Sequence, residues 1–231
     1  MENLISIYNA CFTFLNYDVS WVELVGVLSG LWCVWLAAKV NFHTWTVGLI
    51  NVVAFFIIFY QVNLYSDMLL QVFFFVTSII GMFTWKRKDG RPISGVSQTH
   101  KSWIWPTLAV SAFALGLLMS EVHILLPQYF SSPAAYPFID ATTTVFSVYA
   151  TILLIYKKVE CWLFWIAVDL LGVAVYAARG IYLVSFEYAI FAILASTALY
   201  KWLNIIITQS HDQIEQSSSN RKILADSQRS Y

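Results

Sequence analysis

The stretch CWLFWIAVDLLGVAVYAARG, residues 161–180, has the length and apolarity of a membrane-spanning helix with one acid in its middle. An acid at the centre of a helix in lipid costs roughly 2.5–3.5 kcal/mol on insertion scales, so Asp169 needs a role that offsets it. Trp162, Trp165 and Asp169 fall at i, i+3 and i+7, on one helical face. The same pairing of rings with polar groups recurs elsewhere. Asn51 shares a face with Gly48 and Phe55, and Gln71 with Phe74, Phe75 and Ser78; Thr144 and Ser147 form a stripe with Asp140 and Thr151. Aromatic faces bind flat rings and favour cationic ones, while amides and carboxylates take up hydroxyl or carboxamide hydrogen bonds. The chemistry is recognition of a molecule planar at one end and hydroxylated at the other. The alternative for Asn51, Gln71, Thr144 and Ser147 is interhelical hydrogen bonding, worth about 0.6 kcal/mol each. For Trp162, close behind Lys157 and Lys158, it is anchoring at the membrane interface.

Helices must position these groups. The 231 residues are 59% hydrophobic and only 11% charged, against about 25% charged in soluble domains. A chain this apolar reads as an all-α polytopic membrane protein. Apolar runs at roughly 20–38, 45–62, 66–85, 103–121, 140–156, 160–178 and 185–207 predict seven transmembrane helices, with the termini on opposite sides. Lys39, Lys86, Arg87, Lys88, Arg91, Lys101, Lys157, Lys158, Lys201, Arg221, Lys222 and Arg229 all fall on one side, and only Arg179 on the other. Cytoplasmic loops carry the Lys/Arg excess, so the N-terminus is expected outside and the C-terminus in the cytoplasm.

Helices 1 and 5 open with Glu23 and Asp140, 117 residues apart, and Tyr65/Tyr182 and Trp85/Trp202 keep that offset. Asn51 aligns with Asp169 at 118, with a one-residue slip between. The pattern predicts two three-helix repeats of the same orientation joined by an extra helix, a 3+1+3 transporter architecture with its site near the midplane. The expected segments are an extracytoplasmic stretch over 1–19, read as a short interfacial helix, and a first repeat over 20–85. A linker with the fourth helix follows over 86–139, then a second repeat over 140–207 and a polar, disordered cytoplasmic tail over 208–231.

Other function classes find no support. There is no H-E-x-x-H, G-x-S-x-G or P-loop for an enzyme, and no basic patch for nucleic acid. Cys11, Cys33 and Cys161 lack metal-ligand spacing, and no cofactor is implied. A retinal pigment needs a mid-helix-7 lysine; Lys201 sits near that helix's cytoplasmic end.

Asn51, the NLYSDMLLQVFFF stretch with Gln71, the Trp162-x-x-Trp165-x-x-x-Asp169 run, YPFIDATTT (136–144) and Phe186-Glu187-Tyr188 together resemble the PnuC family of vitamin transporters. The resemblance covers about Ser20 to Trp202. It implies a seven-helix fold similar to the SWEET sugar transporters with the repeats arranged differently, often as a homotrimer, in the bacterial inner (plasma) membrane. It implies uptake of nicotinamide riboside, a cationic pyridinium ribonucleoside, by facilitated diffusion for NAD synthesis, a cytosolic nicotinamide riboside kinase trapping the product. The site it implies comprises Asn51, Gln71, Trp162, Trp165 and Asp169; Tyr188, from the matching Phe186-Glu187-Tyr188 segment, is counted with them, and the polar pattern adds Thr144 and Ser147. Some members have Asn where this chain has Asp169. Related branches carry thiamine or riboflavin, and a buried carboxylate leaves proton coupling open.

Overall fold

The computed structural model describes residues 10–14, 17–61, 65–86, 92–125, 128, 136–178 and 182–229. A hairpin of β1 (Ala10–Phe14) and β2 (Tyr17–Ser20) leads into seven helices: α1 (Trp21–Ala38), α2 (His43–Gln61), α3 (Tyr65–Lys86), α4 (Gln98–Leu125), α5 (Pro137–Ile155), α6 (Cys161–Ala178) and α7 (Tyr182–Arg229). Five of them are long and apolar enough to cross a membrane, and α3 and α6 contribute shorter apolar stretches, Leu70–Lys86 and Cys161–Val175.

The helix starts follow local chemistry. Ser20 caps α1 in a reciprocal box: the Glu23 N–H donates to Ser20 Oγ at 3.2 Å, and the Ser20 N–H donates to Glu23 Oε2 at 2.8 Å. α5 has no side-chain cap and starts instead with Pro137, whose missing N–H and fixed φ suit a first turn.

Six helices close into a ring. α1 packs on α2, α2 on α3, α3 on α5, α5 on α6, α6 on α7, and α7 returns to α1. α4 lies outside the ring against α5 and carries Pro106 within it. The ring therefore has two seams where the first three helices meet the last three, α3·α5 and α7·α1.

The turns after α1 and α5 and the tryptophan pairs beside them correspond at an offset of 117. Val40 and Lys157 take the left-handed conformation, at φ 55° and 54°, a strained choice for a β-branched valine. Around them the turns match bond for bond. Val40 N–H donates to Ala37 O at 2.9 Å and Lys157 N–H to Leu154 O at 3.0 Å; Asn41 donates to Leu36 O at 3.0 Å and Lys158 to Leu153 O at 2.9 Å. Trp45 meets Trp85 edge-on at 5.4 Å and 89°, and Trp162 meets Trp202 at 5.5 Å and 88°. Trp162 and Trp202 are buried, at 2% and 0% exposure. Edge-to-face pairs of this kind add about 0.5–1.5 kcal/mol beyond their area burial, and each pins one helix start to one helix end.

This register corrects the alignment expected from sequence. α2 and α6 run without a bulge, so the Trp45/Trp162 equivalence holds along them and no slip is needed. Asp169 stands level with Val52, and Asn51 with Val168.

One feature breaks the symmetry. Residues 92–97 lie as a strap over the α5–α6 turn. Ser94 N–H donates to Lys157 O at 3.2 Å, and Val159 N–H donates to Ser94 O at 3.0 Å. The Glu160 carboxylate accepts the Val96 N–H through both oxygens at 2.9 Å, and Lys158 Nζ donates to Ser94 Oγ at 2.8 Å. Beneath the strap Lys157 Nζ stands 5.2 Å from the Trp85 ring centroid, and burial pushes its ammonium pKa below the ordinary lysine value.

Two further expectations are revised. The segment before α1 is an antiparallel hairpin over its described part, with Phe12 opposite Val19 and Phe14 opposite Tyr17, because aromatic and β-branched residues favour pleated backbone over an interfacial helix. Residues 1–9 lie outside the described residues. The tail expected to be disordered from Thr208 continues α7 as helix to Arg229; no Gly or Pro interrupts residues 182–229.

Candidate functional site

Asp169 on α6 is buried, at 6% exposure, and Gln71 on α3 is buried at 8%. Among the described residues neither side chain has a hydrogen-bond partner. Leaving a buried polar group unpaired costs on the order of 1–3 kcal/mol, more for a charged one. The two residues stand on α3 and α6, helices that are not neighbours in the ring.

The contact that relates them is aromatic. Phe74 of α3 and Trp165 of α6 approach to 6.4 Å between ring centroids, tilted by 43°. These helices are not neighbours in the ring, so the contact crosses its interior. α3 ends at the level where α6 begins, so the two run in opposite directions. Gln71 lies three residues before Phe74, and Asp169 four residues after Trp165. One helical turn from the aromatic contact, in the same direction away from the α5–α6 turn, brings both polar groups to one level.

A second group forms at α1, α2 and α7. Asn51 Nδ2 donates to the Gly26 carbonyl at 2.8 Å. A Cβ on Gly30 would stand 2.9 Å from Asn51 Nδ2 and 3.4 Å from Phe191 Cζ, so only glycine lets this amide and this ring approach α1 together. One amide nitrogen of Asn51 is thus committed to holding helices together. Tyr188 of α7 lies against Gly172 of α6, in space that any Cβ there would occupy.

The remaining expected residues stand apart in character. Ser147 is buried, at 6% exposure, on α5. Thr144 is half-buried and its hydroxyl donates to the Asp140 carbonyl of its own helix at 2.8 Å. Trp162 packs into the hydrophobic core against Trp202, with its indole N–H unpartnered. Its burial fits neither a surface anchor nor an open binding wall.

Phe191 is the residue that the sequence reading did not single out. It lies 117 positions after Phe74, and that offset was the available signal. By the same register Gln71 corresponds to Tyr188 and Ser147 to Gly30. Of the lysines whose side chains are described, Lys39, Lys86, Lys157 and Lys158 stand at helix ends or in the turns, Lys201 lies within α7 beside Trp202, and none joins this set. Among the described residues no three His, Cys, Asp or Glu side chains are grouped to hold a metal ion. A groove of about 300 Å³ between α4 and α5, lined by Trp105, Leu108, Phe113, Phe138 and their neighbours, lies outside the ring and contains none of the candidate residues.

Comparison with known proteins bears on what such a ring does. A family model described as nicotinamide mononucleotide transporter matches residues 20–204. The nicotinamide riboside transporter PnuC of Escherichia coli is 34% identical over 211 residues, covering 82% of this chain and 87% of that one. The riboflavin/roseoflavin transporter RibM of Streptomyces davaonensis is 26% identical over 197 residues, covering 83% and 88%. The crystal structure of the vitamin B3 transporter PnuC shares the fold with a TM-score of 0.59 at 19% identity, over 81% of this chain and 83% of that one. A ring of apolar helices around unpaired polar groups, matched along nearly its whole length by carriers and by no enzyme among these relatives, makes this chain a multi-pass membrane protein of the nicotinamide mononucleotide transporter family.

Proposed function

We propose that this protein carries nicotinamide riboside across the bacterial inner membrane by facilitated diffusion, the substrate sitting inside the ring between Trp165 and Phe74 on one side and Asn51 and Phe191 on the other. The observation that carries the reading is the pair of buried, unpartnered side chains Asp169 and Gln71, level with each other beside the Phe74–Trp165 contact. A pyridinium ring is flat and cationic, which suits aromatic faces. A carboxylate one turn away suits either that charge or the ribose hydroxyls, and the Gln71 amide suits the carboxamide. Tyr188 and Ser147 complete the lining. The packing of Trp162 and Thr144 supports a supporting role for both: the first anchors α6 and the second bonds its own helix.

The family description names the mononucleotide, whereas the relatives' names give the riboside. The lining favours the riboside. A phosphate carries about −1.5 to −2 charges near neutral pH, and a carboxylate with no described cation beside it would repel it. The constant 117-residue offset supports parallel repeats in a 3+1+3 order. The clustering of the described lysines at the turn ends supports a cytoplasmic location for those ends and an outside N-terminus. A cytosolic kinase that phosphorylates the product would keep a passive flux running inward. Assembly as a homotrimer fits the exposed apolar rings of α4, among them Trp103 at 73%.

Calorimetry on the pure protein with nicotinamide riboside, its mononucleotide, thiamine and riboflavin tests this. The riboside is expected to bind, the mononucleotide at least about tenfold more weakly, which corresponds to ~1.4 kcal/mol. Trp165→Ala should abolish riboside binding without changing the elution volume. Tighter binding of riboflavin would move the protein to the other branch of its relatives. Uptake into liposomes should stop at the outside concentration; accumulation under an imposed proton gradient would replace passive flux with coupling.

A further inference from the structure

Two halves related by a constant offset meet at two seams, and only one is fastened at the turn end. At α3·α5, Trp85 Nε1 donates to the Ile155 carbonyl at 3.1 Å, and the strap with Ser94, Val96, Lys158 and Glu160 binds the same turn. The offset of 117 gives each partner an equivalent at α7·α1. Trp202 corresponds to Trp85, and Ala38 to Ile155. There the bond is absent: the Trp202 indole N–H is buried, at a residue with 0% exposure, and has no partner.

Trp45 and Trp162 also hold unpartnered indole N–H groups, but these two are equivalent to each other, so their shared condition follows from the repeated framework. Trp202 and Trp85 are the pair that differs. α7 runs on as helix past Trp202, and among the described residues no strap lies over the α1–α2 turn. α1 also differs from α5: its Gly26 and Gly30 occupy the places of Thr143 and Ser147, Gly26 against α2 and Gly30 against both α2 and Phe191 of α7. A helix carrying two glycines yields to bending more readily than one carrying hydroxyl residues.

We propose that the α7·α1 seam opens and closes at the turn end during transport, with Trp202 Nε1 donating to the Ala38 carbonyl in the closed state, while the strapped α3·α5 seam is the hinge. Rocking of one repeat against the other is the general route to alternating access, and the inference rests on the transporter reading. It adds which seam moves and which atom latches it. In the described conformation Trp202 and Ala38 are both buried in the same hydrophobic cluster, and the bond is not made. A buried donor without an acceptor biases this state towards any conformation that supplies one.

Distance measurements between spin labels test it without needing a substrate. In a chain with its own cysteines replaced, labels at Lys39 and Leu203 report on α7·α1, and labels at the equivalent Tyr156 and Lys86 report on α3·α5. In lipid nanodiscs the first pair should show two populations separated by several ångström, up to ~5 Å if the helices shift by one turn. The second should show one. Trp202→Phe keeps a ring against Trp162 but removes the donor, and should deplete the shorter population about fivefold, as expected for one hydrogen bond. Trp45→Phe removes an equally unpartnered donor and should leave both distributions unchanged. A single α7·α1 distance, an unchanged distribution in Trp202→Phe, or spreading at the strapped seam instead would overturn the inference. Failure of riboside binding with these distances intact would sink the substrate and leave the moving seam standing.

Discussion

Val52 and Asp169 occupy the same position on equivalent helices, 117 residues apart, and are almost equally buried at 5% and 6% exposure. One is a hydrocarbon that the position suits; the other is a carboxyl that lacks a described partner. The difference separates framework from lining. What repeats is the turn with its left-handed residue, the tryptophan pair and the ring order. What does not repeat is the polar chemistry inside: Asn51 faces Val168 across the alignment, Ser147 faces Gly30, and Gln71 faces Tyr188. Matching turns and tryptophan pairs therefore frame two halves that differ in their polar side chains.

The comparison breaks most visibly if the two halves are made alike. Asp169→Val gives α6 the residue of α2. Riboside binding should be lost beyond about a hundredfold, the loss expected when a charge-assisted contact of ~3 kcal/mol is removed, while the thermal midpoint in detergent rises because the buried carboxyl is gone. A lower midpoint would mean that Asp169 holds the fold. Asp169→Asn sharpens the result: affinity kept within about tenfold, or ~1.4 kcal/mol, assigns hydrogen bonding as its role, and a loss as large as that of Asp169→Val assigns charge.

Smaller effects test the framework itself. Gly81 and Ala198 are equivalent, yet the Trp45 indole fills the space that a Cβ on Gly81 would take. Gly81→Ala should cost about 1–3 kcal/mol by overpacking, and Ala198→Gly only about 1 kcal/mol through helix propensity. Thermal unfolding of both variants reads the difference, and equal shifts would mean that the Trp45 indole moves aside for the added methyl at no cost. The smallest effect belongs to the helix starts. Ser20→Ala removes the box that opens α1 and should cost about 1 kcal/mol.

Much of this was legible in the sequence for reasons that the structure makes plain. Six of the seven helices fall within a few residues of their apolar runs, and α7 does so at its start, because hydrocarbon thickness sets their length. Asp169, Gln71 and Trp165 stood out because polar and ring residues on one face of an apolar helix break the pattern. The register was harder. Aligning Asn51 with Asp169 matched polar letters that the two halves do not share, whereas Trp45/Trp162 carried the framework offset and sat unread. The strap was not legible, since Ser94 and Val96 join the α5–α6 turn largely through backbone groups that carry no side-chain code. The burial of Trp162 depends on Trp202, forty residues further on, and nothing local to residues 161–169 reports it. The length of α7 was hidden by composition: polar residues read as a loose tail even when each is compatible with helix.

The extension of α7 has a mechanical consequence. From Trp202 to Arg229 it adds about 40 Å of uninterrupted rod, at 1.5 Å per residue, projecting from the end of the barrel. A tilt of a few degrees where that rod emerges would sweep its tip through several ångström. The far end of the molecule would thus act as a pointer, displaying to the compartment it enters a magnified image of a small movement between helices.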